Sequence, residues 1–135
     1  MIKVLIADEN EMILKGLKEI LLEDRDIELV GESSSIQDLV SQINMHNFDI
    51  VILGISISGK SDIDNISDIK KLKSDVKIIL LTINPQDEIA KRVIKAGAAG
   101  YLKKDSIPGE LISAVREVYN GRVYMNHVNA ELNFN

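Results

Sequence analysis

Short apolar runs alternate with longer segments of helical periodicity along the whole of this 135-residue chain. The apolar runs are rich in valine, isoleucine and leucine, which is typical of strands that are buried on both faces of a sheet. Between them, apolar residues recur every three or four positions, and this spacing predicts amphipathic helices. The predicted strands cover residues 2–7, 27–31, 50–53, 76–81 and 98–102.

Five strand–helix units in succession predict a parallel sheet with helices on both faces. Because right-handed crossovers leave few arrangements, we predict a flavodoxin-like, doubly wound α/β fold with five parallel strands in the order 2-1-3-4-5. We assign residues 1–121 to this domain. Residues 122–135 have weak periodicity, and we predict that they form a tail or the start of a linker to a further domain.

Composition narrows the classes of function. Sixteen basic and 21 acidic side chains give a net charge of −5, which argues against binding of nucleic acid or an anionic membrane, since both need a basic surface. The chain has no cysteine, which excludes a disulfide framework and a thiolate metal site. No apolar run is long enough to cross a membrane, and the first residues lack the features of a signal peptide, so we predict a cytoplasmic protein.

Polar side chains follow several of the predicted strands. Asp8 and Glu9, which we call the acidic pair, come directly after the first strand, Thr82 closes the fourth and Lys104 follows the fifth. An acidic pair suits a hard cation such as Mg²⁺, and a hydroxyl with an ammonium suits a phosphoryl group. Taken alone, the acidic pair is equally consistent with a solvated loop and the start of a helix, whereas Thr82 and Lys104 are better explained as a strand residue and a surface lysine. Their convergence at one sheet edge favours a phosphate pocket.

Gly54 stands where the third strand should end, at the same edge of the sheet. Ligands and chemistry collect at this edge in open parallel sheets, yet a glycine has no side chain to take part. Taken alone, Gly54 is also consistent with a flexible turn between a strand and a loop.

Together these residues resemble the receiver domain of bacterial response regulators, over residues 1–121. The most specific parts are the acidic pair, the run 48–59, the strand end at Leu81-Thr82 and the segment 96–105. That last segment is most similar to the subfamily whose receivers precede a helix-turn-helix DNA-binding domain.

The resemblance implies that a kinase passes a phosphoryl group to an aspartate at the end of the third strand. It also implies that Mg²⁺ is held by the acidic pair, by that aspartate and by a backbone carbonyl two residues later. Gly54 occupies the position of the acceptor, and Ser56 that of the carbonyl. Thr82 matches the switch hydroxyl, Tyr101 the aromatic switch, and Lys104 the lysine that contacts the phosphoryl group.

The departures from the family pattern cluster at one place. Gly54 replaces the acceptor, Ile57 a methionine, Ser58 a proline and Ile63 a glycine. Because phosphoryl transfer needs a nucleophilic oxygen in line with the donor, we predict a degenerate receiver. It is not an enzyme, it regulates through protein contacts without aspartyl phosphorylation, and it binds Mg²⁺ weakly at most.

The loss of the central carboxylate has further consequences. Lys104 is expected to pair with Asp8 or Glu9, which would hold the site in one state. Asp49 cannot replace the acceptor, because it precedes the third strand and so lies at the opposite edge. The expected partners are a sensor histidine kinase or another signalling protein, and a second copy bound through the last two helices and the last strand.

Two alternatives stay open. In the first alternative, the chain is a conventional phosphorylated receiver. It then either uses another acceptor, such as Ser56, Ser58 or Asp62, or carries an engineered aspartate-to-glycine change. A flavodoxin-like binder of small ligands is the second alternative. We expect no flavin, because no glycine-rich loop follows the first strand and the acidic pair would repel a flavin phosphate.

Overall fold

A six-stranded parallel sheet forms the centre of the molecule, with strand order β2-β1-β3-β4-β5-β6. The computed structural model describes residues 1–54, 62–82 and 87–125. The doubly wound α/β class and the order of the five predicted strands are confirmed. The strands are β1 (Ile2–Ala7), β2 (Ile27–Ser33), β3 (Ile50–Leu53), β4 (Lys77–Thr82), β5 (Gly100–Lys103) and β6 (Tyr124–Met125).

Helices connect the strands, and the residues at the start and end of these helices suit their positions. The side chain of Asn10 caps the first helix by accepting a hydrogen bond from the backbone N–H of Met12. The fourth helix ends before Gly97, whose φ of 120° favours glycine. No helix in the described ranges is both long and apolar enough to cross a membrane. The helices are α1 (Glu11–Leu22), α2 (Ile36–Met45), α3 (Asp62–Leu72), α4 (Asp87–Ala96) and α5 (Ile107–Tyr119), with a 3₁₀ turn at Lys104–Ser106.

Two hydrophobic cores lie on opposite faces of the sheet. Successive residues of a strand point to opposite faces. Accordingly, Val4 and Ile6 pack with α1 and α5, whereas Leu5 and Ala7 pack with α2, α3 and α4. All four side chains are fully buried. Burial on both faces explains why these strands are apolar at consecutive positions, and burial of each large aliphatic side chain contributes roughly 1.5–3 kcal/mol.

The sixth strand corrects the predicted five-stranded sheet. Tyr124 pairs with Gly100 and Met125 with Tyr101, in parallel with β5. The Tyr124 hydroxyl also donates a 2.6 Å hydrogen bond to Glu110 Oε1 on α5. The sheet therefore includes two residues beyond the predicted boundary at residue 121. A two-residue strand is too short to give a periodic signal, and its place depends on the open edge of β5.

Asn65 provides a test of core packing. This α3 side chain is 1% exposed, and neither its Nδ2 nor its Oδ1 has a hydrogen-bond partner in the part of the chain that the structure describes. A buried polar group without a partner costs about 1–3 kcal/mol. We therefore expect Asn65→Leu to raise the midpoint of urea unfolding. Asn44→Leu, at an exposed position of α2, is the control for helix propensity. A midpoint that falls for Asn65→Leu but not for Asn44→Leu would contradict this expectation.

The Tyr124–Glu110 hydrogen bond predicts a loss of stability in alkali. Partial burial, together with the bond to Glu110, raises the pKa of Tyr124 from 10.0 to about 12. Because the folded state favours the protonated phenol, this stabilisation is complete below pH 10 and is lost as the pH rises to about 12. Tyr124→Phe should flatten the pH dependence of the unfolding free energy in this window. The exposed Tyr119→Phe variant is the control, and equal curves for Tyr124→Phe and wild type would contradict the prediction.

Candidate functional site at the carboxyl edge of the sheet

The carboxyl ends of the central strands bring the predicted site residues to one edge. Ala7 at the end of β1 pairs with Leu53 at the end of β3, so Asp8 and Gly54 follow side by side. The Gly54 N–H donates a 2.7 Å hydrogen bond to the carbonyl of Ala7. Lys104 directly follows β5, and its side chain reaches Asp8 and the carbonyl of Gly54. The parallel register therefore assembles the centre of the site from three separate strand ends.

Asp8 is a fully buried carboxylate. Its Oδ1 accepts a 2.8 Å hydrogen bond from the backbone N–H of Asn10, and this turn leads directly into α1. Asn10 thus orients Asp8 and caps the helix at once, a role that the sequence analysis missed. An asparagine two residues after an aspartate and just before an apolar helical stripe is the signal that could have identified it.

Lys104 neutralises the other oxygen of this carboxylate. Its Nζ lies 2.9 Å from Asp8 Oδ2, and its side chain is only 17% exposed. The two groups are close but not aligned as a hydrogen bond, so their attraction is mainly coulombic. Nζ also donates a 3.3 Å hydrogen bond to the carbonyl oxygen of Gly54. Of the two partners expected for Lys104, the structure selects Asp8, and Glu9 is exposed.

Gly54 is buried between these two side chains. A Cβ atom built on its backbone would collide with Asp8 Oδ2 and would lie 3.0 Å from Asp8 Cγ and 3.4 Å from Lys104 Cε. Its φ lies outside the left-handed region that favours glycine. Glycine is therefore suited to this position by the space that it leaves and not by its backbone conformation.

The other predicted residues lie at different depths. Thr82 is half-buried at the end of β4, and Tyr101 is 1% exposed within the core that includes α3 and α4. Ser56 lies outside the described residues, as do Ile57 and Ser58. Asp49 lies at the amino edge, as expected, where its Oδ2 accepts a 2.9 Å hydrogen bond from the Lys3 N–H.

The described side chains are a poor fit for Mg²⁺. Among residues 1–54, 62–82 and 87–125, no group of three or more histidine or acidic side chains could hold a metal ion. Asp8, the buried member of the acidic pair, has one oxygen bonded to the Asn10 N–H and the other paired with Lys104. A divalent cation would have to displace the ammonium, since two cations compete for the same oxygen. The weak Mg²⁺ affinity expected from the sequence stays a prediction.

Comparison with known proteins identifies the family. The family model described as the response regulator receiver domain matches residues 4–116, which includes the acidic pair, Gly54, Thr82, Tyr101 and Lys104. The chain belongs to the response regulator receiver domain family. Gly54 therefore lies at the carboxyl end of β3 in a receiver domain.

Curated relatives of this receiver are longer proteins. The chain is 37% identical over 125 residues to the response regulator UvrY of Escherichia coli K12, covering 93% of this chain and 57% of UvrY. It is also 37% identical over 125 residues to the transcriptional regulatory protein DesR of Bacillus subtilis, covering 92% of this chain and 62% of DesR. The chain thus spans less than two thirds of each of these relatives.

Solved receiver domains share the fold. The isolated receiver domain of RcsB from Salmonella enterica serovar Typhimurium, in its apo form, superposes with a TM-score of 0.86 at 24% identity. The match covers 94% of each chain. At this level of identity the comparison establishes the fold of the present receiver.

The Asp8–Lys104 pair predicts a large cost when the cation is removed. Lys104→Met leaves a buried carboxylate without its counter-ion, and we expect the free energy of unfolding to fall by about 3 kcal/mol. Urea unfolding measures this difference.

Lys18→Met is the matched control, because Lys18 Nζ lies 2.8 Å from Glu32 Oε2 and both side chains are more than 40% exposed. Its loss should cost less than about 1 kcal/mol. Equal losses for the two variants would show that the Asp8–Lys104 pair contributes no more than a surface ion pair.

Proposed function

We propose that this receiver domain belongs to a response regulator that controls transcription, and that it acts through protein contacts without phosphorylation of an aspartate. The observation that carries the proposal is Gly54 at the end of β3, where the resemblance places the acceptor. The names of UvrY and DesR, a response regulator and a transcriptional regulatory protein, support the transcriptional role.

Loss of phosphoryl transfer follows from the chemistry of the site. The reaction needs an oxygen nucleophile held in line with the phosphodonor, and Gly54 has none. Asp8, the nearest carboxylate, is buried and neutralised by Lys104. A neutralised carboxylate whose second oxygen is bonded to a backbone N–H is a poor nucleophile. Phosphorylation at Ser56, Ser58 or Asp62 stays an alternative for experiment.

The proposed switch is held in one position. The resemblance implies that, in the family, the residues matching Thr82 and Tyr101 respond together to the phosphoryl group. Here Tyr101 is 1% exposed although Gly54 provides no acceptor side chain. We propose that the Tyr101 side chain is a core residue of β5 in this chain. The protein surface next to Tyr101 then keeps a single conformation.

The proposed contact surface consists of α4, α5 and β6. We expected the last two helices and the last strand to bind a second copy or another signalling protein, such as a sensor kinase. Because β6 pairs along β5, it replaces β5 as the edge strand of that surface. DNA binding is assigned to a further domain, since this one carries a net charge of −5. The cytoplasmic location stays a prediction.

Mass spectrometry of the intact protein tests the proposal. After incubation with a small-molecule phosphodonor and Mg²⁺, the wild-type chain should keep its unmodified mass, because residue 54 has no side-chain oxygen to accept the phosphoryl group. A conventional receiver treated in parallel confirms that the donor is active. A stoichiometric gain of one phosphoryl group by the wild-type chain would overturn the proposal, and peptide mapping would then identify the acceptor.

A Gly54→Asp variant accompanies this measurement. Its new side chain would compete with Asp8 for Lys104 and would offer the missing oxygen. Labelling of this variant, with the wild type unlabelled, would attribute the lost reaction to residue 54 itself.

A further inference from the structure

Gly54 is closely surrounded by the two charged side chains of the site. Asp8 Oδ2 occupies the position that a Cβ atom on residue 54 would need, and Lys104 Cε lies 3.4 Å from it. The carboxylate and the lysine stem therefore use the volume in which any other side chain at this position would begin.

The same glycine also contributes to the charge balance. Its carbonyl oxygen accepts a 3.3 Å hydrogen bond from Lys104 Nζ, while Nζ lies 2.9 Å from Asp8 Oδ2. The ammonium is thus held by the carboxylate and by the backbone of residue 54. Asp8 is fully buried, so its charge needs this counter-ion.

We propose that Gly54 is a positioning residue, whose missing side chain allows Asp8 and Lys104 to close on each other and lock the receiver pocket with an internal ion pair. Glycine at position 54 then has two effects. It provides no phosphoryl acceptor, and it allows the Asp8–Lys104 ion pair to form. The inference deepens the proposed function and rests on it only in taking Gly54 as the residue present in the natural protein.

Alanine at position 54 separates this inference from a simple loss of function. Where the backbone allows it, glycine to alanine stabilises a protein by restricting the unfolded chain, and the φ of Gly54 lies outside the left-handed region. If the lock exists, Gly54→Ala must instead lower the midpoint of urea unfolding. The added methyl group would push Asp8 away from Lys104 without supplying a new carboxylate.

A double-mutant cycle with Asp8→Ala tests the cause. Asp8→Ala removes the atoms that the methyl group would strike, so in that background Gly54→Ala should leave the midpoint unchanged or raise it. We expect the effect of Gly54→Ala on the unfolding equilibrium constant to differ by at least about tenfold between the two backgrounds, as for contacting residues. Asp8→Ser replaces the alanine variant if that variant does not fold.

Gly31→Ala is the matched control for crowding. A Cβ on Gly31 would also be crowded, at 2.9 Å from Leu5 Cδ1 and against the Gln42 side chain, but it does not touch Asp8. Its cost should therefore be the same with and without Asp8.

Several results would overturn the lock. They are a raised midpoint for Gly54→Ala alone, equal effects of Gly54→Ala in both backgrounds, and failure of the double variant to fold where the single Asp8 variant folds. If Gly54→Ala alone fails to fold while the double variant folds, the lock is supported. Failure of the proposed function is a separate result, since it appears as phosphoryl mass on the wild-type chain and leaves the outcome of this cycle unchanged.

Discussion

A carboxylate removed from water must be neutralised, and this requirement organises the carboxyl edge of the sheet. Asp8 is fully buried at the end of β1. The Asn10 N–H binds one of its oxygens, and Lys104 approaches the other to 2.9 Å. Burial makes such a pair costly to break, because removing either partner leaves a charge in a medium of low dielectric constant. This ion pair joins the ends of β1 and β5, and the hydrogen bond from Lys104 to the Gly54 carbonyl adds the end of β3.

The parallel fold makes this contact available between residues that are distant in sequence. Asp8 and Lys104 are brought together because β1 and β5 point their carboxyl ends to the same edge, with Gly54 between them directly after β3. In this receiver the pocket contains an internal cation and an internal anion. This self-neutralised pocket is the physical argument for the proposal that the receiver acts without a phosphoryl group.

Much of the fold was predictable from sequence, because its signals are local. The apolar runs of β1 and β3 and the periodic stripes between them required only the printed residues. The strand β6 was not predictable in this way, since Tyr124 and Met125 form a strand only where β5 offers an open edge. Its Tyr124–Glu110 hydrogen bond depends on the distance between β6 and α5 in the folded chain.

The candidate site divides along the same line. The positions of Asp8, Gly54 and Lys104 at one edge follow from the strand ends, and pairing of Lys104 with the acidic pair was expected. The choice between Asp8 and Glu9 required burial and the exact position of side chains. The collision between a Cβ on Gly54 and Asp8 is likewise a matter of tenths of an ångström, which residue types alone do not specify.

A crystal structure of the protein crystallised in the presence of Mg²⁺ would test most directly whether the pocket is self-neutralised. The account predicts that Lys104 Nζ stays within ion-pair distance of Asp8 Oδ2 and that no metal ion is coordinated by Asp8. A Mg²⁺ ion bound to Asp8 and Glu9, with Lys104 turned away from both, would contradict it.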